Sequence, residues 1–278
     1  MRSSPLAFAI AATLAAPLAT ADVTSLLPAN DASLFEPDAP EDQLSGGGGS
    51  LFVGRTGSGR VRRAMLRFDV AAAIPAGSTI TSARLSVSVT RTQAPEYLSS
   101  LHRISASWGE GRTVGTQGGA GGAVAQPGDA TWSHRFWPNN PWVTPGGDFD
   151  PTPLCTLPLA GNSRYSFSSE ALTAAVQDML DHPEGNHGLL ILGDEISGVT
   201  AKRIAARESS TAANRPTLLI EYRPACIGDW NLDGGIDGDD VIAFFLRWDN
   251  GDADVNGSGT TDFEDLVRFM TDWDRGCT

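Results

Sequence analysis

Two twelve-residue segments near the end of the chain, residues 229–240 and 254–265, carry oxygen-bearing side chains with one spacing. These side chains stand at positions 1, 3, 5, 9 and 12, and position 6 is a glycine, Gly234 or Gly259. Calcium is a hard cation that takes about six to eight oxygen ligands, and a single loop supplies them only if it turns sharply near its middle. The spacing therefore predicts two calcium loops, loop 1 and loop 2. The predicted ligands are the side chains of Asp229, Asn231, Asp233, Asp237 and Asp240 and the carbonyl of Gly235 in loop 1, and the side chains of Asp254, Asn256, Ser258, Asp262 and Asp265 and the carbonyl of Thr260 in loop 2.

The two loops are similar to the EF-hand type, with Asp in place of Glu at position 12. Ser258 in loop 2 stands where loop 1 has Asp233, so we expect loop 2 to bind calcium more weakly. Residues 226–278 hold twelve Asp and one Glu against three Arg, a clustering that repels itself unless a cation binds. The alternative is an acidic, solvated tail.

An apolar segment follows each loop, at residues 240–248 and 265–273. Its apolar side chains recur every three or four residues, which predicts two short helices that bury these faces against each other. The side chains concerned are Val241, Phe244, Phe245 and Trp248 in the first segment and Leu266, Phe269, Met270 and Trp273 in the second.

Two loop–helix repeats with the pattern D-x-N-x-[DS]-G and Asp at position 12 resemble the dockerin module. The resemblance implies a small α-helical domain at residues 225–278 that folds with two calcium ions. It also implies attachment to a cohesin-like or other cell-surface protein. Cys226 and Cys277 lie just outside the repeats, where an antiparallel pair of units brings its ends together, so we predict a disulfide between them. Two free thiols are the alternative, and Cys155 is left as a core or loop residue.

The beginning of the chain indicates export. Arg2 precedes an apolar stretch at residues 6–18 and then A-T-A at residues 19–21, the three regions of a signal peptide, so residues 1–21 are expected to be removed. The mature protein is then secreted, to the extracellular space or the cell surface. No later segment reaches about twenty consecutive apolar residues, so no membrane span is expected.

Residues 22–224 contain short segments of strand type and few helical ones. The strand-type segments are residues 51–54, 63–70, 83–90, 188–192 and 216–222, and they predict a mainly β fold, a β-sandwich. Leu85, Val87 and Val89 alternate with Ser86 and Ser88, which predicts a sheet covered on one face only. One helix is expected at residues 169–180, capped by a serine.

The order of motifs in this region resembles the DNRLRE family of secreted modules. They are L-F-V-G, R-A-M-L-R-F-D-V, I-P-A-G-S-T-I-T-S-A-R-L-S-V, W-G-E-G, D-A-T-W, G-G-D-F-D, N-H-G-L-L-I and N-R-P-T-L-L-I-E-Y, although the hexapeptide that names the family is absent. The resemblance implies a jelly-roll-like β-sandwich similar to carbohydrate-binding modules. Its ligand would be a polysaccharide or cell-surface glycan, and some members are reported to recognise acidic polysaccharides.

Two groups of residues are candidates for contacting such a ligand. Trp132, Trp137 and Trp142 offer flat aromatic faces for sugar rings, and the alternative is that they pack beneath the loops. The guanidinium groups of Arg60, Arg62 and Arg63 match the carboxylates of an acidic glycan, and the alternative is a solvated strand edge.

No arrangement of residues identifies an active site. No pair of carboxylates stands out for glycoside hydrolysis, and the four histidines have no metal-binding spacing. The net charge of −13 and export argue against nucleic acid as a partner. The sequence therefore predicts a non-catalytic attachment protein. The alternatives are an extracellular polysaccharide-degrading enzyme, hydrolase or lyase, and a structural envelope protein.

Overall fold

A computed structural model of the chain describes residues 21–39, 44–111, 121–231, 233 and 235–276. The chain divides into two compact units, the β unit at Ala21–Ala225 and the C-terminal unit that begins at Cys226. The fold is mainly β with a small helical region at the C-terminus, as predicted. Within the described residues, no helix has the length and apolar character needed to cross a bilayer.

Fifteen strands, three α-helices and two short 3₁₀ helices, Pro183–Gly185 and Ala212–Asn214, make up the regular structure of the described residues. The strands are β1 (Asp22–Leu26), β2 (Asn30–Phe35), β3 (Leu44–Gly46), β4 (Ser50–Arg55), β5 (Val61–Arg67), β6 (Thr79–Thr92), β7 (Tyr97–Arg103), β8 (Ala123–Val124), β9 (His134–Phe136), β10 (Asn140–Pro141), β11 (Cys155–Leu159), β12 (Ser163–Ser168), β13 (Leu189–Leu192), β14 (Lys202–Ala205) and β15 (Thr217–Arg223). The helices are α1 (Glu170–Asp181), α2 (Gly238–Trp248) and α3 (Phe263–Arg275).

One large antiparallel sheet of thirteen strands forms most of the β unit and curls on itself, and β9 and β10 form a separate two-stranded sheet. The strands of the large sheet follow the order β1-β15-β6-β14-β4-β5-β13-β7-β11, with β12 beside β6 and β2 beside β5. β4 connects the two halves, because it pairs along its length with β14 but meets β5 only near Gly54 and Arg55. The two halves enclose one core, to which β6 contributes Leu85 and Val87 and β13 contributes Leu189 and Ile191.

A second, smaller cluster lies on the other face of β2, β5 and β13. Met65 and Leu190 point into it, while their neighbours Ala64 and Leu66 point into the main core. Strands buried on both faces have nearly continuous apolar sequences, which explains the run A-M-L in β5.

The prediction that the sheet is covered on one face only is wrong at Ser86 and Ser88. Both serines are buried, because β12 lies beside β6 and its long Arg164 side chain crosses the face. Arg164 donates to the Ser88 hydroxyl at 3.3 Å and continues to Thr217 Oγ1 at 2.6 Å. The alternating pattern of β6 could not predict this burial, because the side chain that covers the serines belongs to another strand.

The predicted helix at residues 169–180 is confirmed as α1. The Ser169 hydroxyl caps its start by accepting the Leu172 N–H at 2.9 Å. Leu172, Val176 and Met179 on its apolar face belong to the main core.

The C-terminal unit has its own small core. Phe244 of α2 and Phe269 of α3 are fully buried and stack with ring centroids 4.1 Å apart. Trp230 meets both rings edge-on, at 5.1 and 6.0 Å. Phe245 and Met270, predicted to join this face, are 40% and 37% exposed, so each helix buries a narrower stripe than its sequence suggests.

Candidate functional site

The two predicted calcium loops have the same internal hydrogen bonds. The carboxylate at position 12, Asp240 or Asp265, is fully buried and accepts the N–H of position 9 at 2.9 Å in both loops. It also accepts the N–H of position 3, at 3.0 Å in loop 1 and 2.9 Å in loop 2. Position 12 therefore binds both ends of its loop, and it is also the third residue of the helix that follows.

Oxygens from positions 1 and 3 converge on one backbone N–H. In loop 1 the Asp233 N–H donates to Asp229 at 3.1 Å and to Asn231 at 2.9 Å. In loop 2 the Ser258 N–H donates to Asp254 at 3.0 Å and to Asn256 at 2.8 Å. Two side-chain oxygens are thereby brought together on the inside of each loop.

Position 5 accepts the N–H of position 7 in both loops, from Gly235 to Asp233 at 2.8 Å and from Thr260 to Ser258 at 3.4 Å. At position 6, Gly259 has φ +90°, a conformation that a residue with a side chain rarely adopts. The equivalent Gly234 lies outside the described residues, as does Leu232. Loop 2 thus has the sharp turn that its glycine predicts.

Hydrogen bonding also alters the acidity of loop 2. Burial acts to raise the pKa of Asp265, but the backbone N–H groups of Asp262, Asn256 and Val255, with the nearby charge of Arg268, hold this pKa below its usual value. The carboxylate is therefore ionised at neutral pH, as a calcium ligand must be.

The chemistry of the loop oxygens suits calcium, because carboxylate, amide, hydroxyl and backbone carbonyl oxygens are the donors that this ion takes. The carboxylate oxygens within each calcium loop are more widely spaced than those of another group of acidic residues, which lies in the β unit. Among the described residues, the one set of three acidic, His or Cys ligand atoms all within 4.8 Å is that of Asp31, Glu110 and Glu208 in the β unit.

This acidic group could hold a metal ion, and it is not among the sites predicted from the sequence. Arg207 lies among its members: its Nε is 2.9 Å from Glu110 and 2.6 Å from Glu208, and its backbone N–H donates to Asp31 at 2.7 Å. A guanidinium group therefore already balances part of the charge. Glu110 belongs to the W-G-E-G motif, the single sequence signal that marks this position.

Asp31 is the buried member of the group, at 1% exposure. Burial raises its pKa to about 7, although the hydrogen bond from the Arg207 backbone opposes the shift, and the charges of Glu208 and Glu110 add to it.

The three candidate tryptophans have different surroundings. Trp142 is buried and donates its indole N–H to the Thr131 carbonyl at 2.9 Å, so it has no free face for a sugar ring. Trp132 packs on the second cluster, with the Arg63 guanidinium 4.9 Å from its ring. Trp137 is half-buried and meets His134 edge-on at 4.8 Å. The structure therefore does not present the three rings as one exposed platform.

The three candidate arginines also differ. Arg60 pairs with Asp38 at 2.8 Å, and Arg63 binds both carboxylate oxygens of Glu195 at 2.8 and 2.9 Å. Arg62 donates to two backbone carbonyls, and its buried Nε has no hydrogen-bond partner in the described part of the chain. Among the described residues, Arg62 is thus the member of the three without a carboxylate partner.

The cysteines fall into two classes. Cys226 is disulfide-bonded, and its predicted partner Cys277 lies outside the described residues, so the pairing stays a prediction. Cys155 in β11 is a free thiol whose pKa is raised by burial, and a hydrogen bond from Ser169 offsets this in part. Such a thiol is a poor nucleophile at neutral pH.

No protein-family model matches this sequence, and no curated protein matches it either. The resemblances to dockerins and to the DNRLRE family therefore rest on the motifs themselves.

Proposed function

We propose that this is a secreted, non-catalytic attachment protein with two functional parts. The β unit, a jelly-roll-like module of the DNRLRE type, binds a polysaccharide or cell-surface glycan. The C-terminal unit is a dockerin-like module that folds around two calcium ions and joins the protein to a cohesin-like or other surface partner.

The observation that carries this proposal is the hydrogen-bond pattern repeated in the two loops. A disordered acidic tail has no reason to place the oxygens of positions 1 and 3 on one N–H and to bury position 12, twice and in register. Calcium would be held by the ten side-chain ligands and the carbonyls of Gly235 and Thr260. It would supply the positive charge that so many aspartates in a small unit require.

The observations that support the proposed function of the β unit are less specific. Its curled antiparallel sheet, with one core between the two halves, is compatible with a sandwich, and the loops that pack on the outer face of β2, β5 and β13 carry the tryptophan-rich motifs. Binding of a glycan follows from the family resemblance.

Calcium titration of the exported full-length protein tests the proposal. We expect calorimetry to show two ions bound, one after Asp229→Ala or Asp254→Ala, and two after the control change Asp249→Ala, which removes an equal charge at the exposed end of α2. The weaker site should be the one that survives Asp229→Ala. Unchanged binding in both loop variants would show that the loops are not the sites.

One observation favours the alternative of a polysaccharide-degrading enzyme. A carboxyl with pKa near 7 beside two other carboxyls, as at Asp31, resembles the general acid of a glycosidase. Asp31 is buried, however, so it has no direct access to a substrate. Release of reducing ends from a polysaccharide panel, lost in Glu110→Gln, would support the enzyme; we expect no release.

A further inference from the structure

A pocket on the β unit is lined by three arginines, Arg62, Arg91 and Arg203, by the buried Lys202, and, among the described residues, by no carboxylate. Its volume is about 290 Å³. β14 lies between β6 and β4, and these three strands and β5 each contribute a lining residue.

Two of the arginines lie directly opposite each other. Arg91 of β6 and Arg203 of β14 are cross-strand partners, and Phe52 of β4 is the partner of Arg203 on the other side. Directly opposed residues of antiparallel strands share a face of the sheet, and like charges in this position destabilise the pair. The arrangement places two guanidinium groups and one aromatic ring in a row across three strands.

The cations in this pocket form no ion pair with another described residue. Arg203 donates to the Thr90 hydroxyl at 3.1 Å, and Lys202 donates to the carbonyls of Pro95 and Ala160. Across the part of the chain that the structure describes, no ion pair includes Arg62, Arg91, Lys202 or Arg203.

The nearest acidic groups are engaged elsewhere or act at a distance. Asp38 pairs with Arg60, and Glu36 accepts the Val61 N–H at 2.7 Å. The negative charges of both residues act on Arg62, and that of Glu96 acts on Lys202. A guanidinium fork left with unused donors is suited to bind a carboxylate or sulfate oxygen pair.

The same pocket has an apolar side. Phe52 and Val199 line it; Val199 is 55% exposed, and Phe52, at the end of the row, is 8% exposed. A sugar ring that carries an acidic group has matching parts, an apolar C–H face and an oxyanion. We propose that this pocket binds a sugar unit bearing a carboxylate or sulfate ester, with the oxyanion against Arg62, Arg91 and Arg203. That the ligand is a saccharide rests on the proposed function; the oxyanion site rests on the cations.

Binding of three hexasaccharides to the full-length protein tests this proposal. The probes are a hexagalacturonate, a sulfated galactan hexamer and a neutral galactan hexamer, measured by calorimetry at low salt. The variant is Arg91→Gln/Arg203→Gln, and the matched control is Arg84→Gln/Arg223→Gln, which removes two exposed arginines of the same unit. We expect an acidic hexamer to bind at least about tenfold more weakly to the variant, and to be nearly unaffected in the control.

The variant should fold well, because it removes a like-charged cross-strand pair; its unfolding temperature should equal or exceed that of the unmodified protein. Acidic hexamers that bind the folded variant as tightly as before would overturn the pocket while leaving glycan binding intact. A neutral hexamer that binds as tightly as the acidic ones would also overturn it.

A different result would show that the pocket binds oxyanions although the protein does not bind glycans. If no hexamer binds, the unfolding temperature in sodium sulfate at matched ionic strength tests the oxyanion site alone. If sulfate raises this temperature more in the unmodified protein and the control than in the variant, the oxyanion site stands and the glycan function fails. If sulfate affects all three proteins equally, the oxyanion site fails as well.

Discussion

Adjacent arginines in β5 have different surroundings because strand alternation turns them to opposite faces. Arg63 packs over Trp132 and Phe149 and binds Glu195, so its charge is balanced inside the protein. Arg62 lies 4.7 Å from the Phe35 ring and borders the cationic pocket. Residue type alone suggested one function for both; the partners of each residue separate a structural arginine from one available to a ligand.

Asp31 gives the β unit a dependence on pH. Its pKa is about 7 in the folded protein and about 3.9 in an unfolded chain, so the folded state holds an additional proton between these values. Stability should therefore fall as the pH rises through that window, by up to about 4 kcal/mol, and then level off. Asp31→Asn should remove this loss.

Urea denaturation of the β unit at pH 5 and pH 8 measures the effect. Asp194→Asn is the control, because hydrogen bonds from Ser197 and Ile196 lower the pKa of Asp194, so its titration lies below the window. If Asp31→Asn and the unmodified protein lose the same stability between the two pH values, Asp31 is not the group responsible.

At the scale of elements, each loop and the helix after it act as one unit. Asp237 and Asp262 stand at position 9 of their loops and are also the N-cap residues of α2 and α3. The aspartate at position 12 completes the capping box. A change in the loop is therefore passed directly to the start of its helix, and the stacked phenylalanines join the two helices.

Phe269→Ala should destabilise the C-terminal unit by about 3–4 kcal/mol, because it empties the centre of a small core. Phe263→Ala, at a position 72% exposed on the same helix, should cost no more than about 0.5 kcal/mol. Urea unfolding in saturating calcium, followed by near-ultraviolet circular dichroism, compares the two. Equal losses would mean that the stacked pair is not the centre of this core.

The elements that were predicted correctly depend on local sequence. The strand at residues 83–90, the helix capped by Ser169 and the two helices of the C-terminal unit each follow from periodicity within about twelve residues. The cationic pocket and the acidic group were not predicted, because each combines residues of distant segments. Arg207 and Asp31, which share a hydrogen bond, are 176 residues apart in the chain.

At the scale of the whole molecule, each unit has a core of its own, so the two should respond separately to calcium. Each ion that binds only the folded state adds about 2.7 kcal/mol at a hundredfold excess over its dissociation constant. A chelator should therefore lower or abolish the unfolding transition of the C-terminal unit and leave that of the β unit nearly unchanged in scanning calorimetry. A common shift of both transitions would contradict this independence.

The pairing of the first strand with the last also determines when the β unit can be completed. β1 pairs with β15 from Asp22 with Tyr222 to Leu26 with Leu218, and β15 also covers one edge of β6. Until a nascent chain has emerged as far as Arg223, β1 and the facing edge of β6 lack their partner strand β15. Open strand edges favour aggregation. Folding of the β unit must therefore wait until nearly all of it has been synthesised. A recombinant fragment that ends before Thr217 should accumulate as insoluble protein, whereas one that ends after Arg223 should be soluble.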